Sequence, residues 1–168
     1  SNKVVVAQWV LQPEGFPLEQ PAPRRLPSHQ LTLLQVYGSL FFAAARNMEE
    51  MLPEVGSATR AVVAINLRGK SEVGSTFVTV LQRYCEALRA HDSRLMLVGV
   101  DPDVRDQLAK TGILQVIGEE NVFVATPQLV HARGLDVEAH GVESLAEFDR
   151  QRQPDVAEAD DADSKVAQ

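Results

Sequence analysis

Apolar residues in this chain gather into short β-branched runs separated by segments with a helical stripe. The clearest case extends from Ala61 to Val100. AVVAINL and LMLVGV are short, apolar and rich in β-branched residues, which suits strands buried on both faces. Between them Phe77, Val80, Leu81, Tyr84 and Leu88 recur at spacings of three and four, the stripe of an amphipathic helix. A strand, a helix and a strand joined by tight loops predict a βαβ crossover with parallel strands. The loop RGKSEVGST, Arg68 to Thr76, follows the first of these strands, at the end where α/β folds place their functional surface.

The flanking segments extend the pattern. Lys3 to Leu11 reads as a strand anchored by Trp9, and Gln30 to Tyr37 as a second, antiparallel to the first. Residues 12–29 between them carry Pro13, Pro17, Pro21, Pro23 and Pro27, which predicts a long inserted surface loop of extended character. Proline-rich segments of this kind also serve as ligands for recognition domains. After Gly38-Ser39, Phe41, Ala45, Met48 and Leu52 form a helical stripe that Pro53 ends, with Met48 and Met51 read as core filler. Gly56 to Arg60 is a loop. Beyond Val100, Asp101 is a natural N-cap, Pro102 suits the first helical position, and Gly112 suits the position after the helix. ILQVIGEEN reads as irregular and Val122–Ala125 as a short last strand, with Thr126 capping a helix that stops near Gly134. VESLAEFDRQRQ suits a short helix burying Val142, Leu145 and Phe148. The expected fold is therefore α/β, a mixed and mostly parallel sheet of about five strands with about four helices in the order β-β-α-β-α-β-α-β-α. The folded domain is expected over residues 1–150 and an acidic disordered tail over 151–168.

Charge and cysteine content narrow the function classes. The net charge is −7, and Asp155, Glu158, Asp160, Asp161 and Asp163 in the tail supply much of it against Lys165 alone. No cluster of Lys and Arg marks a nucleic-acid surface, so no nucleic-acid partner is expected. Cys85 is the single cysteine, which excludes an internal disulfide and places a thiol on the central helix, read as a core group. The longest apolar run, near Leu40 to Ala45, ends at Arg46, far short of the ~20 residues that span a bilayer. The chain begins SNKVVVAQWVL without Met, which reads as a tag remnant or as a domain cut from a longer chain.

Familiar catalytic patterns are missing: there is no phosphate-binding P-loop, no GxGxxG, no GxSxG and no HExxH. His29, His91, His131 and His140 are scattered, and Asp101 with Asp103 is explained by capping, so no catalytic residue and no metal site is expected. What remains is the loop before the central helix. Gly74, Ser75 and Thr76 place small groups and two hydroxyls at a helix N-terminus, where unpaired N–H groups attract anions. Two readings stand open there, N-capping by Ser75 or Thr76, and a docking or phosphorylation surface.

At this loop the chain resembles a STAS domain, the fold of bacterial anti-sigma factor antagonists and of the cytosolic C-terminal part of SulP-family sulfate and anion transporters. The resemblance covers roughly Lys3 to Ala132. VYGSLFFAAARNMEEML is similar to the strand, glycine, paired aromatics and helix that open transporter STAS domains, and TGILQVIGEENVFVATPQLV to the family's passage into its last helix. At the places where the family shows Asp-x-Ser and then Asp-Ser-Ser/Thr-Gly, this chain holds Asn66, Arg68, Gly74, Ser75, Thr76 and Phe77. Thr76 falls where antagonists are phosphorylated, but both acidic companions are replaced, and Arg68 and Lys70 add positive charge. The resemblance implies a non-catalytic regulatory domain at the cytosolic face of a membrane sulfate or anion transporter. It would dock through Asn66, Arg68, Lys70, Gly74, Ser75, Thr76 and Phe77. Its implied partners are the membrane domain of the same chain, a second copy, or a regulatory protein, and its cofactors none. The alternatives are an antagonist-type phosphoswitch binding an anti-sigma kinase through Thr76 or Ser75, and a nucleotide- or anion-sensing module.

Overall fold

The computed structural model describes residues 3–41 and 43–125. The strands are β1 (Val5–Val10), β2 (Leu18–Pro21), β3 (Leu31–Tyr37), β4 (Val62–Asn66), β5 (Arg94–Val100) and β6 (Val122–Val124). The helices are α1 (Ala43–Met51), α2 (Ser75–Arg89), α3 (Pro102–Lys110) and α4 (Ile113–Ile117). The strands form one six-stranded sheet in the order β2-β1-β3-β4-β5-β6. β1 runs antiparallel to β2 and β3, while β3, β4, β5 and β6 are parallel. This is the expected mixed, mostly parallel sheet, with one strand more than the periodicity predicts.

The additional strand lies inside the proline-rich stretch. All four residues of β2 are exposed, so no apolar alternation announces it. It forms because the chain folds back on β1, pairing Val10 with Leu18 and Ala7 with Pro21. A proline is tolerated there because β2 is an edge strand. Side chains reinforce the pairing: Gln20 donates to Gln8 Oε1 at 3.0 Å, and Trp9 Nε1 donates to Glu19 Oε2 at 3.1 Å. The Tyr37 hydroxyl donates to the same carboxylate oxygen. The following residues are also held, since Leu26 N donates to Glu54 O (2.9 Å) and Glu54 N to Arg24 O (2.8 Å). The stretch is thus a hairpin arm and a clasp.

The hydrogen bonds from Tyr37 and then Trp9 hold the Glu19 carboxyl below its ordinary range. A depressed folded-state pKa means the stabilisation is present above the unfolded carboxylate pKa and is lost as pH falls through the folded value. Trp9 is the single tryptophan. Its fluorescence is expected to hold constant from neutral pH down through the usual carboxylate range and to change below it, and Glu19→Gln is expected to remove that step.

Every helix for which buried residues are given turns them into one core. Phe77, Val80, Leu81, Cys85 and Leu88 of α2 meet Leu34, Ile65 and Leu97 of the sheet, joined by Met48 of α1 and Leu108 of α3. Each fully buried side chain of this size contributes about 1.5–3 kcal/mol of transfer free energy. On the other sheet face Leu33, Val62, Ala64, Met96 and Val98 form a second cluster. Cys85 is buried as expected, and burial raises its thiol pKa. Met51 departs from expectation, being 40% exposed where Met48 is 0%. The helix ends there, so its last side chain turns past the core.

ILQVIGEEN is also ordered, contrary to the irregular reading. It forms α4 and a 3₁₀ turn at Glu119–Asn121, with Ile113, Leu114 and Ile117 buried. Five residues are too few to show a helical period, which is why the pattern hid it. Asp101 caps α3 as predicted, its Oδ1 accepting from Asp103 N at 2.8 Å, and Gly112 follows the helix with φ +80°. Asp101→Ala is expected to cost about 1 kcal/mol in urea denaturation, with Asp101→Asn retaining most of it. The helices expected from Thr126 and over VESLAEFDRQRQ, the acidic tail, and His131 and His140 lie outside the described residues.

Candidate functional site

The loop between β4 and α2 is built by its neighbours. At the end of β4, Asn66 is buried, and its Oδ1 accepts from Arg68 N at 3.0 Å, closing a side-chain turn. Gly99 of β5 makes room for it: a Cβ at Gly99 would stand 2.7 Å from Asn66 Oδ1, and its φ is +61°. Lys70 then folds back, donating from Nζ to Gly38 O at 2.6 Å. Partial burial depresses the Lys70 pKa, so part of its solvation is exchanged for that carbonyl. Val73 N donates to Gln107 Oε1 (3.1 Å) and Gly74 N to Leu40 O (3.2 Å), tying the loop to α3 and to the β3–α1 connection.

Helix α2 begins at Ser75 with Gly74 as its N-cap, and no side chain caps it. This corrects the capping reading, for Ser75 and Thr76 occupy the first helical turn and not the cap. The reason is packing: Gly74 is buried, and a Cβ there would meet Leu40 O at 3.2 Å. Glycine eases this approach to the β3–α1 connection, since a Cβ would require Leu40 to give by a few tenths of an ångström. Ser75 is exposed and Thr76 half-buried, and with Thr79, Arg46, Glu50 and Arg83 they line an open cleft of about 490 Å³ against α1. Arg83 pairs with Glu49 at 2.8 Å across that cleft.

The predicted loop residues therefore divide. Ser75, Thr76, Arg68 and Lys70 stand at or near the surface, while Asn66, Gly74 and Phe77 lie inside and shape the loop. Phe77 is 0% exposed, so it belongs to the core and not to a docking surface. Gly38 is marked in the sequence only as a turn, and Gly99 and Gln107 carry no sequence signal, because their roles at the loop arise from elements far away along the chain. Among the described residues no group of three or more His, Cys, Asp or Glu is placed to hold a metal ion. No helix among them is long and apolar enough to cross a membrane.

No curated protein matches the chain in sequence. Among solved structures it is similar to a sulfate transporter family protein from Wolinella succinogenes, at 22% identity and a TM-score of 0.49 over 58% of this chain and 79% of that one. It is also similar to a SulP transporter STAS domain from Vibrio cholerae, at 22% identity and a TM-score of 0.46 over 68% and 88% of the two chains. The murine Solute Carrier 26 family member A9 anion transporter shares the fold, with a TM-score of 0.53 at 11% identity over 83% of this chain, which spans 22% of that transporter. The sequence profile of the STAS domain matches residues 21–128, from the end of β2 past β6. By that match, which takes in β3 to β6 and all four helices, the chain belongs to the STAS domain family.

Proposed function

We propose that this STAS domain is a non-catalytic regulatory module of a membrane anion transporter, with sulfate as the anion, lying against the cytosolic face of its membrane part. The observation that carries this reading is the clamped loop: Lys70 and Gly74 are bonded to the β3–α1 connection and Val73 to α3, so Ser75 and Thr76 sit on a preformed edge. A rigid edge with no converging base, nucleophile or metal set suits docking, where preorganisation lowers the entropic cost of association. The transporter branch is supported by the Val36–Leu52 segment and by the likeness in fold to a much longer anion transporter.

The test is sulfate uptake by cells producing the full-length gene product. Lys70→Met with Thr76→Arg, which loosens the clamp and alters the edge, is expected to lower uptake several-fold at unchanged surface abundance. Unchanged uptake overturns the reading, as does an upstream sequence lacking apolar segments of about 20 residues.

One observation favours a second reading, the phosphoswitch. Ser75 and Thr76 lie in the uncapped first turn of α2, where unpaired N–H groups stabilise a phosphate, and Arg46 and Arg83 line the same cleft. Incubation with a cognate anti-sigma-type kinase and ATP should then add one phosphate at Thr76 or Ser75 by mass spectrometry. An unmodified chain rejects this alternative.

A further inference from the structure

Strands β3, β4, β5 and β6 follow one another across the sheet in chain order, all parallel. Right-handed crossovers that step in one direction put every connecting helix on the same side of a sheet. The core agrees: the buried side chains of α2, α3 and α4, with Met48 of α1, all belong to the first cluster. The second cluster, on the opposite face, holds strand residues alone, from Leu33 of β3 to Val98 of β5, with Trp9 and Phe123 against it. None of its buried residues is more than 8% exposed. Gln35, two positions on from Leu33, shares this face and is buried, and its Oε1 has no hydrogen-bond partner among the described residues. Strands do not exclude water from their own face, so a further segment lies across this one, with a place for a donor at Gln35.

The face is closed within the 168-residue chain itself, so its cover belongs to residues outside 3–41 and 43–125. Residues 127–148 have the composition for it. They supply Leu129, Val130, Val142, Leu145 and Phe148, whereas from Asp149 onward the only apolar side chains larger than alanine are Val156 and Val166. Their starting point suits it too, since Ala125 N donates to Val100 O and the chain leaves β6 still held to the sheet. We infer that residues 127–148 lie across this second sheet face. The cluster reaches from β1 to β6, five strands or roughly 19 Å at the usual spacing. A helix is about 10 Å wide, so the segment crosses the face in two passes. Burial of its apolar side chains supplies the attraction. While seated it closes the face to any other partner, and this holds whether or not the docking function proposed above is correct.

The single tryptophan, Trp9, reports on this face. In the full chain, Leu145→Asp with Phe148→Asp is expected to shift its emission to the red and to raise acrylamide quenching several-fold. Val156→Asp with Val166→Asp is expected to change neither. A second measurement holds even if the first pair loosens the fold. Cys85 is buried, so a nitroxide introduced through Glu147→Cys labels that position. It is expected to broaden the amides of Ala64 and Met96 more than those of Gln82 and Glu86, on the exposed side of α2. Stronger broadening at Gln82 and Glu86, or none at either pair, overturns the inference, as does Trp9 emission unmoved by the first pair. If Trp9 of the unaltered chain becomes more accessible on dilution, a second copy is the cover and the inference fails.

Discussion

Phe77→Ala is expected to lower the unfolding free energy by about 3–5 kcal/mol, the range for truncating a fully buried aromatic side chain. Phe77 is 0% exposed and among the largest fully buried side chains. It also sits in the first turn of α2, next to Ser75 and Thr76, so the cavity it leaves lies under the candidate docking edge. Urea denaturation checks the magnitude: the midpoint should fall with the slope unchanged. Thr76→Ala, one residue away and half-buried, is expected to stay within about 1 kcal/mol. A loss near 1 kcal/mol for Phe77→Ala would show that it does not anchor α2. Where the family carries glycine after the hydroxyl, this chain has spent the position on core packing, and Phe77→Gly should be worse than Ala through helix propensity.

Gly38→Ala is the second large effect, and it tests how the loop is held. Gly38 has φ +99°, and an added Cβ would stand 2.7 Å from Lys3 O and 3.2 Å from Val4 Cα. Backbone obstructs it on that side, so β1 or the β3–α1 connection must shift. The Gly38 carbonyl is also the acceptor for Lys70 Nζ. Torsional strain alone costs about 1–3 kcal/mol, and the displaced backbone adds to it. Gly69→Ala separates the two contributions. Its φ is +79°, yet nothing lies within 4 Å of the added atom, so it carries strain without collision. Gly38→Ala is therefore expected to destabilise more than Gly69→Ala, and to speed amide hydrogen exchange at Lys70 and Val73. Equal losses would remove the collision from the account.

Much of the architecture was legible from local pattern. β4 and β5 are mainly apolar and mostly buried, and the α2 stripe packs as its spacing predicts. Asp101 and Gly112 mark the ends of α3, because capping is a matter of a few adjacent residues. β2 and α4 were not legible. β2 is exposed throughout and exists through pairing with β1, while α4 is too short to display a period.

The loop divides in the same way. Its position after β4 and its two hydroxyls follow from residue order, since strand and helix periodicities are local properties of the chain. Which of its residues face outward does not. Gly74 takes the cap because Leu40 passes against it, Lys70 turns inward because Gly38 offers a carbonyl, and Val73 is held by Gln107. The residues concerned are more than thirty positions apart along the chain. Contacts at such separation are set by how helices and strands stack, and a one-dimensional pattern carries no record of that stacking.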